Sequence, residues 1–369
     1  MKPREMPASE PPPVRPPGVH EDAILKIYRV PAECAGMRLD VFLRTQLRNT
    51  SRTRARAIIE QSAHAADGRA LRANDRVKAD ERIALWREPF EELDDVPLPV
   101  LYEDRHLLAI DKPPLVTVHP TARYHRNTVI ERLRKQRPGE FLALIHRIDR
   151  ETSGVLMLAK SIEAERAFKR LLEERSLGGE DSVKKAYIAV THGVPQVALC
   201  ELPMELDTEN SLRVKMRICR ADQGLQARTG IEVLETRAGY ALCRLALQTG
   251  RQHQIRLHLS ALGCPVVGDK LYGSDERLLA RAADGELTDD DFQLLEHPRQ
   301  LLHAERYDFV HPMTQGELSL VAPLPADLLG FWARVDAGQG TRHEAEAARD
   351  DAAARASAWS RRSGAGQVK

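Results

Sequence analysis

An acidic, proline-punctuated stretch, Glu91-Glu92-Leu93-Asp94-Asp95-Val96-Pro97, cuts the hydrophobic patterning of this 369-residue chain into two unequal blocks. Its crowded carboxylates repel one another and resist burial, and its proline lacks a backbone donor, so the stretch reads as a linker. A chain this long also exceeds what one hydrophobic core usually serves. Two domains are therefore expected, at 25–88 and 97–336, joined by residues 89–96. Residues 1–24 carry Pro11-Pro12-Pro13 and Pro16-Pro17, and residues 337–369 are rich in Ala, Arg, Glu and Gly. Neither end has the apolar residues to build a core, and both are expected to be disordered tails.

Composition narrows the class. Hydrophobic residues make up 42% and charged residues 30%, the balance of a soluble globular protein. No run of about 18 apolar residues occurs, so no membrane association is expected. The N-terminus lacks the apolar stretch of a signal peptide, and the expected location is cytoplasmic. Cys34, Cys200, Cys219, Cys243 and Cys264 are widely spaced and form no C-x-x-C pair, which argues against a disulfide framework or a zinc site. Net charge is only +1, but basic residues cluster at Arg52-Thr53-Arg54-Ala55-Arg56, at Arg123 to Arg126 and at Arg251 to Arg256. A nucleic-acid partner needs only one positive face, so this distribution keeps that class open.

In the first block a strand is expected at Leu25 to Val30. Leu39, Phe42, Leu43 and Leu47 then share one helical face. Ser51 has the chemistry of an N-cap for a second helix that runs to about Gln61 and exposes Arg52, Arg54 and Arg56. Asp67-Gly68 signals a turn, and Arg82 to Trp86 a strand. The second block alternates strands (100–102, 107–110, 142–145, 155–159, 187–190, 230–235, 241–247) with helices (128–136, 162–174, 252–261). Their uneven order predicts an α+β fold, mixed, around a largely antiparallel central sheet. No Gly-rich fingerprint follows a strand, so no nucleotide cofactor is expected.

The chemistry concentrates in Leu144-Ile145-His146-Arg147-Ile148-Asp149-Arg150-Glu151-Thr152-Ser153-Gly154-Val155-Leu156-Met157-Leu158-Ala159-Lys160, a strand, a polar turn and a strand. An acid between two arginines stays ionised, because opposite charge lowers its pKa. On a loop at a sheet edge it is either a nucleophile or a turn-bracing residue.

This stretch, HRIDRETSGVLMLAK, resembles the signature of RluA-type pseudouridine synthases, with Ile148 where leucine is commoner. Matching stretches follow in the family's order: LYEDRHLLAIDKP (101–113), KKAYIAVTHG (184–193), LQTGRQHQIRLHLSALGCPVVGDKLYG (247–273) and RQLLHAERYDFVHPMTQGELSLVAPLPADL (299–328). One departure falls at Leu115, where the family usually has glycine. The first block resembles a small S4-like α/β RNA-binding domain through MRLDVFLRTQL, SRTRARAIIEQ and NDRVKADERI, departing at Ser62 to Asp67. The combined arrangement is typical of relatives that modify large-subunit ribosomal RNA.

By this resemblance Asp149 is the catalytic carboxylate, Tyr187 the tyrosine packed on the uracil, and Arg256 the arginine paired with the acid. Arg147, Arg251 and His253 are implied to meet RNA, together with Arg52, Arg54 and Arg56 of the first block. The isomerisation is redox-neutral, so no cofactor is expected. His253 and His258 stand five apart rather than four, which makes a helical metal pair a poor reading. A monomer is expected, since no coiled coil or extended apolar edge stands out. Three other readings compete: an RNA-binding ribosome-assembly factor without chemistry, a synthase acting on transfer RNA, and a two-carboxylate glycosidase. The last would need a second acid, and Glu151 reads as a surface residue.

Overall fold

The structure is a computed structural model that describes residues 11–20, 23–47, 52–87, 96–120, 127–176, 183–210, 214–220, 222–273, 275, 277–284 and 286–336. Ser51, most of the expected linker, Arg123 to Arg126 and the expected C-terminal tail lie outside these residues. The chain divides into two compact units, Met1–Glu91 and Glu92–Lys369.

The small unit contains β1 (Ile24–Arg29), α1 (Leu39–Gln46), α2 (Arg52–Ser62), β2 (Ala63–Ala65) and β3 (Arg82–Arg87), with β3 central in an antiparallel sheet ordered β1-β3-β2. Leu39, Phe42 and Leu43 of α1 join Ile59 of α2 and Ile83 and Leu85 of β3 in one core. Asp40, in the first turn of α1, is buried and bound by Arg38 (2.9 Å) and Arg52 (3.1 Å). A carboxylate there also complements the helix dipole.

Residues 11–20 depart from the expectation of a disordered tail. Val14 donates its amide to Ala66 O at 2.9 Å, Arg82 Nη1 donates to Pro11 O at 2.9 Å, and the Arg15 guanidinium lies 5.6 Å from the Trp86 ring centre. Pro13 and Pro16 are buried. Prolines have little backbone freedom to lose, so a few contacts suffice to dock a segment that cannot form a core of its own.

The large unit runs β4 (Val100–Glu103), β5 (Leu107–Lys112), α3 (Val129–Gln136), β6 (Ala143–Leu144), β7 (Ser153–Ala159), α4 (Ile162–Ser176), β8 (Val183–His192), β9 (Leu199–Cys200), β10 (Met204–Leu206), β11 (Met216–Ile218), β12 (Thr229–Arg237), β13 (Tyr240–Leu247), α5 (Gln254–Ala261), α6 (Leu278–Asp284), α7 (Asp289–Leu295), β14 (Leu302–Val310), β15 (Glu317–Val321) and α8 (Ala326–Asp336). Ten strands make one sheet in the order β4-β5-β7-β14-β8-β13-β12-β9, with β15 on β14 and β6 on β7. Every pairing in it is antiparallel except β7 with β14. The expected α+β class with a largely antiparallel sheet is what the chain adopts.

Two main clusters of apolar side chains cover this sheet. One gathers Leu107, Val155, Met157, Phe168, Leu245, Ile255 and Phe309; the other gathers Leu108, Ile110, Val129, Leu133, Leu156 and Leu158. Successive residues of β5 and β7 divide between the two, as the two-residue period of a strand buried on both faces requires. Among the described residues, no helix is long and apolar enough to cross a membrane.

The parallel pairing is short and depends on Gly154. It joins Ser153 to His303 and Gly154 to Ala304. Gly154 has φ +106, and a Cβ there would lie 2.2 Å from Ala304 O. Only glycine lets β7 approach β14 this closely while turning the preceding loop away.

Candidate active site

The turn before β7 is fastened by buried basic side chains. Lys112 Nζ donates to Pro113 O (2.7 Å), Val116 O (3.1 Å) and Arg150 O (3.1 Å). Burial pushes its pKa well below the usual lysine range. Arg299 Nη1 donates to Glu151 O at 3.0 Å, while its Nε is paired with Asp327 at 2.6 Å. Glu151 itself corrects the sequence reading: its side chain is only 17% exposed and is bound by Lys270 at 2.9 Å. It also accepts the Gln300 amide at 3.1 Å. It is a structural anchor of the turn, with no leaving-group role implied.

These contacts present Asp149, whose side chain is 31% exposed. Its two oxygens are unequal. Oδ2 accepts from Arg256 Nη1 at 2.7 Å and from Gln300 Nε2 at 3.2 Å. Oδ1 has His253 Nε2 at 3.8 Å. Burial raises the pKa of this carboxyl, but the Arg256 charge and the hydrogen bonds more than offset it, so Asp149 lies below the usual carboxylate range.

Arg256 is delivered by α5 and is 7% exposed. Its Nε and Nη2 form a two-pronged pair with Asp269, at 2.7 and 2.8 Å. Burial opposes its charge, and Asp269, then Asp149, outweigh that opposition. Asp269 is fully buried and also accepts the Leu271 and Tyr272 amides at 2.9 and 3.0 Å. The Tyr272 ring centre lies 5.2 Å from the guanidinium carbon. Gly268, with φ +77, allows the chain bearing Asp269 to lie against Arg299, because a Cβ would meet Arg299 O at 2.0 Å.

Tyr187 lies on β8, opposite Ala304, which pairs on its other side with Gly154. Gly154, Ala304 and Tyr187 therefore form one row across three strands, roughly 10 Å from end to end by the usual strand spacing. The Tyr187 and Tyr307 hydroxyls are 2.7 Å apart. His146 stacks on Tyr307, with ring centres 5.1 Å apart, and burial lowers its pKa to about 3, so it is neutral.

The remaining residues singled out by sequence are placed as follows. Arg147 is exposed. Arg251 Nε donates to Gln226 O at 3.2 Å. His253 abuts Asp149 and is largely buried. In the small unit, Arg52 binds Asp40, and Arg56 binds Glu60 at 2.8 Å; the Arg54 side chain lies outside the description. Sequence reasoning missed Gln300, Asp269 and Tyr272 as parts of the site. They lie inside the stretches 247–273 and 299–328, but nothing in their local spacing marks them. Among the described residues, no group of three or more His, Cys, Asp or Glu is placed to hold a metal ion.

Comparison with known proteins bears on this arrangement. The family described as RNA pseudouridylate synthase matches residues 106–261, a span that includes Asp149, Tyr187 and Arg256. The ribosomal large subunit pseudouridine synthase D of Xanthomonas campestris pv. campestris is 32% identical over 316 residues, covering 83% of this chain and 91% of the relative. Its namesake in Pseudomonas aeruginosa is also 32% identical, over 84% of this chain and 95% of its own length. The solved structure of human RNA Pseudouridylate Synthase Domain Containing 4 superposes with a TM-score of 0.50 at 28% identity, covering 64% of this chain and 92% of that one. With such identity sustained over most of its length, the chain belongs to the RNA pseudouridylate synthase family, isomerases that act on RNA.

Proposed function

We propose that this enzyme converts specific uridines of large-subunit ribosomal RNA to pseudouridine, with Asp149 as its nucleophile. One observation carries the reading: a partly exposed carboxylate is kept ionised by a buried arginine that a second, fully buried acid pins in place. A carboxylate that served only to brace a turn would not need a buried cation with its own counter-ion.

The overall reaction breaks the N1–C1′ and C5–H bonds of uridine and forms C5–C1′ and N1–H. It is redox-neutral and consumes no donor group. Asp149 attacks C1′ or C6, detaching the base so that it rotates and rejoins through carbon. A uridine taken out of its stack needs an aromatic surface in place of its neighbours, the role assigned to Tyr187. Arg147, exposed two residues before Asp149, is assigned to the RNA strand at the vacated position, and Arg251 to phosphate. The small unit, whose sequence resembles an S4 domain, is assigned the phosphate contacts that fix register, with Arg52, Arg54 and Arg56 on its second helix. The choice of ribosomal RNA rests on the names of the relatives.

The test compares wild type and Asp149→Asn by pseudouridine mapping of total RNA and by binding to a target fragment. The expected variant binds RNA and forms no pseudouridine. A variant that modifies RNA as well as wild type removes Asp149 from the chemistry. Loss of sites only from transfer RNA, when the protein is absent, overturns the choice of substrate.

A further inference from the structure

The entry to α5 carries a second group beside Asp149, His253, which the sequence reading placed only as an RNA contact. His253, immediately before the helix, has φ +57, in the left-handed region that only a few per cent of non-glycine residues adopt. In this conformation the imidazole has Nδ1 2.9 Å from the Tyr272 hydroxyl and Nε2 3.8 Å from Asp149 Oδ1. Strained backbone at a reactive group is a pointer to function rather than to folding.

Proton counting favours one tautomer of His253. The Tyr272 hydroxyl is buried and accepts the Met216 amide at 2.8 Å. Burial raises its pKa, so it keeps its own proton, which needs an acceptor. Among the described residues that acceptor is His253 Nδ1. Burial, the largest influence, lowers the His253 pKa; Asp149 and Asp269 favour its charge and Arg256 opposes it. A neutral imidazole that accepts at Nδ1 carries its proton on Nε2, and Nε2 faces Asp149.

We infer that Asp149 Oδ1 is the oxygen that bonds to the nucleotide, and that His253, locked by Tyr272 as an Nε2–H donor, positions that oxygen and steadies its returning charge. This rests on Asp149 as the nucleophile. Oδ2 is occupied by Arg256 and Gln300. Oδ1 has only Nε2 beside it among the described residues. At 3.8 Å the contact is longer than a hydrogen bond, as catalytic contacts often are before substrate arrives. Attack forms an Oδ1–carbon bond as the displaced electron pair passes onto the uracil. Release breaks that bond and returns the pair to Oδ1, opposite the fixed dipole of Nε2–H. No proton passes between His253 and Asp149 in either step.

Tyr272→Phe tests this, because it keeps a ring under Arg256 and removes only the hydroxyl. Nitrogen-15 NMR of histidine-labelled wild type should show His253 protonated at Nε2 and bare at Nδ1, a preference lost in Tyr272→Phe. The single-turnover rate at saturating RNA should fall at least about tenfold with RNA affinity unchanged. A wild-type Nδ1–H tautomer, an unchanged rate, or a loss confined to RNA affinity each overturns the inference; the last would make His253 a phosphate contact. His253→Gln and His253→Asn guard against misfolding. Asparagine tolerates the left-handed backbone better, whereas glutamine places an N–H nearer the Nε2 position. Higher activity in His253→Gln supports the donor role, and higher activity in His253→Asn reduces the residue to a backbone one. If Asp149→Asn itself remains active, the nucleophile assignment fails. If Asp149→Asn is inactive while these variants behave as wild type, only the role of His253 fails.

Discussion

Asp40 in the small unit and Asp149 in the large one both bind arginines, with opposite burial. Asp40 is 2% exposed, and its partners Arg38 and Arg52 are 35% and 59% exposed. Its pKa falls to about 2, chiefly through the Arg38 hydrogen bond. At Asp149 the carboxylate is 31% exposed and the arginine 7%. A buried anion under solvated cations can only fasten a helix. A partly exposed anion over a buried cation can meet a substrate, but its cation then requires a second acid, because a desolvated guanidinium with one partly exposed partner is poorly compensated. Asp269 is that acid. The two carboxylates therefore differ less in their neighbours' identity than in which partner is in water.

The comparison can be broken most directly at Asp269. Asp269→Asn should destabilise the large unit by about 3–5 kcal/mol in urea unfolding and lower the turnover rate, because it strips a buried charge of its main partner. The Asp269 pKa is depressed in the folded state, since Arg256 outweighs the burial that would raise it. Its stabilisation is thus complete above the usual aspartate range and lost as pH falls through the folded value. The variant should lack that acid limb, and wild-type stability in the variant would show that Arg256 needs no second acid.

Gly154→Ala should come next, at about 1–3 kcal/mol, through collision with Ala304 O and a strained positive φ. Pseudouridine formation should fall with it, since the Asp149 turn loses its seat on β14. Full activity would dissociate that turn from the parallel pairing. Asp40→Asn should cost only about 1 kcal/mol, since both its cations are already in water, and should leave the turnover rate at saturating RNA unchanged. Its contribution, too, should vanish in acid, as pH falls from the usual aspartate range through about 2. A reduced rate would mean that the Asp40 cluster has a part in the chemistry. The smallest effect is expected at Leu115, a non-glycine residue at φ +67. Leu115→Gly should stabilise by about 0.5 kcal/mol, as relief of left-handed strain slightly exceeds the added freedom of the unfolded chain. A loss instead would show that the leucine side chain is packed too well to spare.

Elements with a clear period were readable from sequence. The strands expected at 107–110 and 155–159 appear as β5 and β7, and the helices expected at 128–136 and 252–261 as α3 and α5, each within a few residues. β14 was not anticipated as a strand. Its first three residues are buried consecutively, whereas from Arg306 to Val310 only Tyr307 and Phe309 are buried, and an irregularity between Ala304 and Arg306 separates the two parts, so no single period runs through it. Glu151 was misjudged for a related reason. Its local sequence is a polar turn, and its partner Lys270 lies 119 positions away. Asp149, Arg256 and Tyr187 stood out only because motif resemblance supplies long-range information that local spacing lacks. The tautomer of His253 depends on a hydroxyl and an amide from two other segments, and no linear pattern encodes it.

The place of β14 in the sheet has a bearing on biosynthesis. It sits between β7 and β8, so the two halves of the sheet remain unjoined until residues 302–310 have left the ribosome. Gln300, Arg299 and the seat for Gly154 arrive with it. Until then the turn carrying Asp149 lacks both Gln300 and its seat on β14, and the wait for so distant a partner should make closing the sheet the slow step of maturation.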